Sequence, residues 1–109
     1  MNTAKEVLSC TVSDGELIAC ISGDIDHHSS KLLRTELDAK IAEAPPDALT
    51  IDLSGVSFMD SSGLGLILGR YSRAAASGIA FRVIGADKRV MRIFEMAGMT
   101  KLINIERGL

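Results

Sequence analysis

Ala48-Leu49-Thr50-Ile51-Asp52-Leu53, followed a short way on by Asp60-Ser61-Ser62-Gly63-Leu64-Gly65-Leu66-Ile67-Leu68-Gly69-Arg70-Tyr71, is the stretch that decides the fold. The first six residues are apolar or β-forming and predict an interior strand. Ser54-Gly55 reads as a turn and Val56 to Met59 as a connecting segment. Asp60, Ser61 and Ser62 are three N-cap residue types in succession, so a helix starts there. Leu64, Leu68, Tyr71 and Ala75 recur at spacings of three and four and share one helical face, and Ser77-Gly78 supplies the stop. A strand handing over to a helix in this way is half of a β-α-β unit.

The flanking sequence extends the pattern. Upstream, Glu6–Ser13 and Glu16–Ser22 are strand candidates joined by Asp14-Gly15, a dipeptide suited to the positive φ angles of a tight antiparallel hairpin. The polar loop Gly23–Ser30 follows. Leu33, Leu37 and Ile41 then mark an amphipathic helix from about Ser29 to Glu43, which Pro45-Pro46 ends. Downstream, Ile79–Ile84 is a strand, and Asp87 caps a third helix with Val90, Ile93, Phe94 and Ala97 as its buried stripe and Gly98 as its end. Leu102–Ile105 is the last strand. The order predicts one α/β domain over residues 1–109: a mixed β-sheet with an N-terminal hairpin, right-handed βαβ crossovers, and helices packed on the sheet. Function in such sheets gathers at strand ends and helix N-termini.

Composition narrows the function classes. The 109 residues are 47% hydrophobic and 24% charged, as in an ordinary globular chain. Twelve Lys and Arg against fourteen Asp and Glu give a net charge of -2, with no basic stripe of the kind that neutralises nucleic-acid phosphates. Apolar runs such as Leu64–Leu68 fall far short of the roughly 20 residues that span a membrane. Met1–Val7 carries Lys5 and Glu6 and does not read as a leader, so a cytoplasmic location is expected. Cys10 and Cys20 then read as buried, reduced thiols.

Asp60-Ser61-Ser62-Gly63 at a helix start places a hydroxyl beside backbone N–H groups and the positive end of a helix dipole, which suits a phosphate. A phosphoserine there would add about 1.5 to 2 negative charges without unfolding the helix. The bland alternative is that Ser61 simply caps the helix. Asp24, Asp26, His27 and His28 are four potential metal ligands within one loop, but no further His or paired Cys lies near, and no metal is expected. Gly63, Gly65 and Gly69 match neither the dinucleotide fingerprint nor a P-loop; they would let the helix approach the sheet or a partner closely. Met91, Met96 and Met99 read as core filler before adaptable surface. Neither a Ser-His-Asp arrangement nor paired acid/base carboxylates can be assembled, so a binding module without cofactor is expected rather than an enzyme.

Residues Ser57–Gly65, with Leu68-Gly69-Arg70-Tyr71 after them, resemble the phosphorylation segment of the STAS-domain anti-sigma factor antagonists. Gly23-Asp24-Ile25-Asp26-His27-His28 resembles a loop of the same family, in its sporulation branch, and Val90–Gly98 extends the likeness over nearly the whole chain. The resemblance implies a partner switch. The unphosphorylated antagonist binds an anti-sigma factor that is also a serine kinase and frees the sigma factor; phosphorylation of the first serine after the aspartate, here Ser61, ends the interaction, and a serine phosphatase restores it. It further implies a partner surface around Asp26, Asp60, Ser61, Ser62 and Gly63, with Asp60 presenting Ser61 to the kinase, repelling the phosphate, or capping the helix. Two other functions stay open: a STAS scaffold or sensor module of a different signalling complex, and a small nucleotide-binding protein built on the glycine-rich helix start.

Overall fold

Asp14 and Gly15 turn the chain with positive φ angles of 52° and 79°, and β1 (Leu8–Ser13) folds antiparallel onto β2 (Glu16–Ile25). The computed structural model describes residues 7–108. Glu6 of the expected first strand, and the Met1–Val7 stretch up to that residue, lie outside the described residues. The chain continues through α1 (His27–Glu43), β3 (Ala48–Met59), α2 (Ser61–Ala76), β4 (Ala80–Ala86), α3 (Lys88–Met96), a 3-10 turn (Met99–Lys101) and β5 (Asn104–Arg107). The strands lie side by side in sequence order, the first pair antiparallel and the others parallel.

The alternation of each strand sorts the sheet into two faces. Leu17 and Leu49 are neighbours, as are Ile51 and Val83; all four are buried in one cluster with Leu33 and Ile41 of α1, Ile67 and Ala74 of α2, and Val90 and Phe94 of α3. On the alternate face Arg82 Nε donates to Thr50 Oγ1 at 3.1 Å, the Thr50 hydroxyl bonds the Glu16 carboxylate, and Arg82 pairs with Glu16 at 3.5 Å and Glu106 at 3.6 Å. This polar cover ties four strands together and leaves Thr50 only 1% exposed.

Several expected boundaries move. No turn interrupts β3 at Ser54-Gly55. The ladder with β2 runs on to Ile25 and Met59 through register shifts, with Gly55 opposite Ser22; a Cβ on Gly55 would meet Ser22 Cβ at 2.8 Å. β2 likewise continues through Gly23-Asp24-Ile25, part of the expected loop, because Gly23 takes φ 91° and Ile25 is fully buried. α1 starts at His27 rather than Ser29, since Asp26 is its N-cap. The inward side of α2 is Gly63, Leu66, Ile67, Arg70 and Ala74, while Leu68 and Ala75 of the expected face are exposed and Leu64 and Tyr71 are half-buried. In α3 only Val90 and Phe94 are buried; Ile93 is half-buried and Ala97 is the exposed C-cap. β4 is displaced by one residue, from an expected start at Ile79 to Ala80, and runs to Ala86. β5 starts at Asn104 because Gly98, at φ 73°, opens the 3-10 turn that uses up Met99 to Lys101. Both cysteines are free, as expected, but Cys10 is half-buried and Cys20 is exposed on the uncovered sheet face.

Candidate functional site

Parallel strands that end level deliver their following helices side by side. Ile25 and Met59 are register partners, so the residues after them, Asp26 and Asp60, stand next to each other as the N-caps of α1 and α2. The Asp60 N–H donates to the Ile25 carbonyl at 3.1 Å, which joins the end of β2 to the start of α2.

Each aspartate is engaged by its own helix. Asp26 Oδ1 accepts from the N–H groups of Ser29 at 2.9 Å and His28 at 3.0 Å, and the Asp26 N–H donates to Ser29 Oγ at 3.0 Å, completing a capping box. Ser29 Oγ in turn donates to the Asp24 carbonyl at 3.0 Å. The Ser29 N–H, with that of His28 adding to it, holds the Asp26 carboxyl below the usual carboxylate range. Asp60 Oδ1 accepts from the Ser62 N–H at 2.8 Å, and the Asp60 carbonyl accepts from the Gly63 N–H at 2.9 Å.

That arrangement shows which residue caps α2. The cap is Asp60, Ser62 contributes its backbone N–H to it, and Ser61 occupies the first helical position, exposed. Its hydroxyl makes no hydrogen bond among the described residues. Gly63 turns inward instead: a Cβ there would meet Met59 Cγ at 2.1 Å and Ile25 Cγ2 at 3.2 Å. It is buried and lets the first turn of α2 lie directly on the strand ends. Gly65 has open space around it and Gly69 likewise, so close approach to the sheet explains Gly63 alone.

Beside Ser61 an open groove of about 320 Å³ runs between the first turns of the two helices, with His27, Lys31 and Arg34 of α1 facing Ser62 and Gly65 of α2. Lys31 and Arg34 make no ion pair among the described residues. Deeper in the same seam Arg70 is 6% exposed, and its Nε lies 3.1 Å from Asp38 Oδ1, which Arg73 also approaches at 3.7 Å. Burial pulls the Arg70 guanidinium below its ordinary pKa, and Asp38 opposes that. Two apolar side chains stand in the open nearby: Phe58, 51% exposed, two residues before Asp60, and Leu68, 40% exposed, on the outward side of α2. Lys31 and Arg34 were not singled out by motif, while Phe58 and Leu68 fell inside the segments that carry the resemblance but were given no partner role. The pair of cations could have been noticed, because Lys31 and Arg34 are three residues apart and share one side of the expected helix.

Asp24, His27 and His28 do not converge with Asp26: Asp24 accepts from Ser57 Oγ at 3.3 Å, and no group of three or more His, Cys, Asp or Glu side chains is gathered among the described residues. No helix among them is long and apolar enough to cross a membrane.

Fold and site together define a small α/β module with an exposed hydroxyl beside a helix seam. The STAS domain family matches residues 8–109, and the chain belongs to that family. It is 37% identical over 91 residues to the anti-sigma F factor antagonist of Paenibacillus polymyxa, covering 84% of this chain and 78% of that protein. It is 32% identical over 93 residues to the anti-sigma-B factor antagonist of Bacillus subtilis, covering 85% and 84%. Among solved structures, the crystal structure of an anti-sigma factor antagonist from Mycobacterium paratuberculosis superposes with a TM-score of 0.83 at 27% identity, covering 91% of this chain and 83% of that one.

Proposed function

We propose that the chain is an anti-sigma factor antagonist. Unphosphorylated, it binds an anti-sigma factor that is also a serine kinase and thereby releases a sigma factor. Phosphorylation of Ser61 by that kinase ends binding, and a serine phosphatase resets the switch. The observation that carries this reading is the Ser61 hydroxyl, which makes no hydrogen bond among the described residues. With Asp60 capping α2, Ser61 is spared the structural duty that serines at helix starts usually have, and it lies exposed among the residues that resemble the family's phosphorylation segment. The relatives' names support the antagonist role, and the exposed Phe58 and Leu68 offer the apolar contacts that interface centres favour.

Phosphate acts here by charge rather than by refolding. At the first position of α2 it meets a favourable dipole, typically worth about 0.3 to 1 kcal/mol at an exposed site, so the helix has no reason to melt. Across an interface, a desolvated phosphate facing like charge costs several kcal/mol, and each 1.4 kcal/mol is about tenfold in affinity. Incubation with the candidate anti-sigma kinase and ATP, followed by peptide mapping, is expected to place the phosphate on Ser61. Ser61→Ala should keep binding, and Ser61→Asp should lose it with a near-native circular dichroism spectrum. Phosphate on Ser54 or Ser62 instead, or a folded Ser61→Ala that fails to bind, would overturn the assignment.

A further inference from the structure

On α1, whose first turn is capped by Asp26 and whose last turn holds Lys40, Lys31 and Arg34 are exposed cations beyond the first turn. Lys31 and Arg34 make no ion pair among the described residues. The seam they share with α2 also holds Arg70, whose Nη1 is buried without a hydrogen-bond partner among the described residues. Among the described residues Asp38 is the one carboxylate paired with Arg70, with Arg73 close to it as well and the charge of Arg34 felt at Arg70. Lys31 and Arg34 therefore stand unpaired among the described residues in an open groove of this seam, beside Ser62 and so one residue along the chain from Ser61.

Helical spacing connects the two. On α1, His27, Lys31 and Arg34 follow one another at spacings of four and three and form a single stripe. On α2, Ser61 and Gly65 are one turn apart on the same side, and Gly65 lines the groove that this stripe faces. Ser62 and Leu66 line the groove beside Gly65, and Ser61, next to Ser62 in the chain, stands at its margin.

We infer that the groove between α1 and α2 is a cradle for a phosphate monoester dianion, occupied by the chain's own phosphate when Ser61 is modified, with Lys31 and Arg34 as its main ligands and His27 at its rim. This rests on the proposal that Ser61 is the phosphorylated residue. Held in that way, the phosphate closes the groove to a partner's acidic side chain at the same time as it adds charge to the surface. Lys and Arg suit the task, as a mobile ammonium and a bidentate fork respectively.

The groups facing the phosphate are His27, Lys31 and Arg34 from α1, the capping carboxylates Asp26 and Asp60, and Asp24 at the end of β2. To isolate the cations, phosphoserine is installed at position 61 during synthesis, and its second ionisation is followed by phosphorus NMR from about pH 4 to about pH 9. In the otherwise unaltered chain this ionisation is expected below the ordinary value near 6. In Lys31→Gln/Arg34→Gln, both substitutions lying on exposed residues, it should rise by about half a unit or more. That gap should close as salt approaches about 1 M, where the screening length falls to about 3 Å. The dipoles and the three carboxylates are the same in both proteins and cancel. Superimposable titrations of the two proteins, or a gap indifferent to salt, would overturn the cradle. Because the phosphate is installed without a kinase, failure here is separate from failure of the kinase to modify Ser61.

Discussion

Gly63→Ala tests the contact that sets α2 on the strand ends. The added Cβ would lie 2.1 Å from Met59 Cγ, 2.7 Å from Met59 Sδ and 3.2 Å from Ile25 Cγ2. Met59 is 2% exposed and Ile25 fully buried, so neither can step aside into solvent. Alanine in place of a helical glycine gains about 1 kcal/mol. Overpacking a closed core costs about 1 to 3 kcal/mol, and a contact at the middle of a buried side chain belongs at the upper end. The net expectation is a loss of about 2 kcal/mol, or a fall of about 8 °C in Tm for a domain near 100 residues. Gly65→Ala is the internal control: with nothing within 4 Å of its Cβ, only the propensity gain remains, and Tm should rise by about 4 °C. Thermal melts of the two variants followed by circular dichroism thus have opposite expected signs. A Gly63→Ala protein that melts at or above the parent temperature would refute the packing account.

Asp26→Asn should flatten the acid limb of the stability curve. The folded-state pKa of Asp26 is depressed, so its contribution is fully present above the unfolded value near 3.9 and is lost as pH falls through the lower folded value. Asparagine keeps an acceptor for the Ser29 and His28 N–H groups but does not titrate, so parent and variant should converge in Tm as pH drops below about 4; a difference that stays constant across that range counts against the assignment. In the seam, Asp38→Asn should destabilise by about 2 kcal/mol or more, since it strands the buried Arg70 guanidinium, while Arg70→Met should cost less because Asp38 keeps Arg73 at 3.7 Å. Urea melts giving the reverse order would show that the pair is not what stabilises the seam.

Local chemistry was legible wherever one signal stood alone. Leu33, Leu37 and Ile41 form the buried stripe of α1, Asp14-Gly15 makes its hairpin, and Asp87 caps α3 through the Val90 N–H at 2.8 Å. Ser54-Gly55 misled because a turn dipeptide and a strand irregularity look alike until the partner strand is known; the β2 ladder overrode the local preference. The inward side of α2 was hidden for another reason. Leu64 to Leu68 is apolar on every side, and two of the residues that actually face inward are a glycine and an arginine, which hydrophobic periodicity does not count. Ser61 was visible through its motif, but its freedom from capping depends on which of three adjacent candidates takes that task, and only the geometry of Asp60 decides it.

The two halves of the site are positioned by strands rather than by loops, and this bears on where the chain can change length. Between the level pairs Cys20–Asp52 and Ile25–Met59, β2 takes five steps and β3 takes seven, the surplus being absorbed by the register shifts. A single deletion in either segment would exchange inward for outward side chains at Ile25 or Met59 and lift one cap out of line with the other. At the opposite edge, where Pro45-Pro46 and Ser77-Gly78 connect helices back to the sheet, added residues would leave both caps where they are. Length variation among functional descendants of this chain should therefore collect at that far edge and be purged from the few residues leading to Asp26 and Asp60.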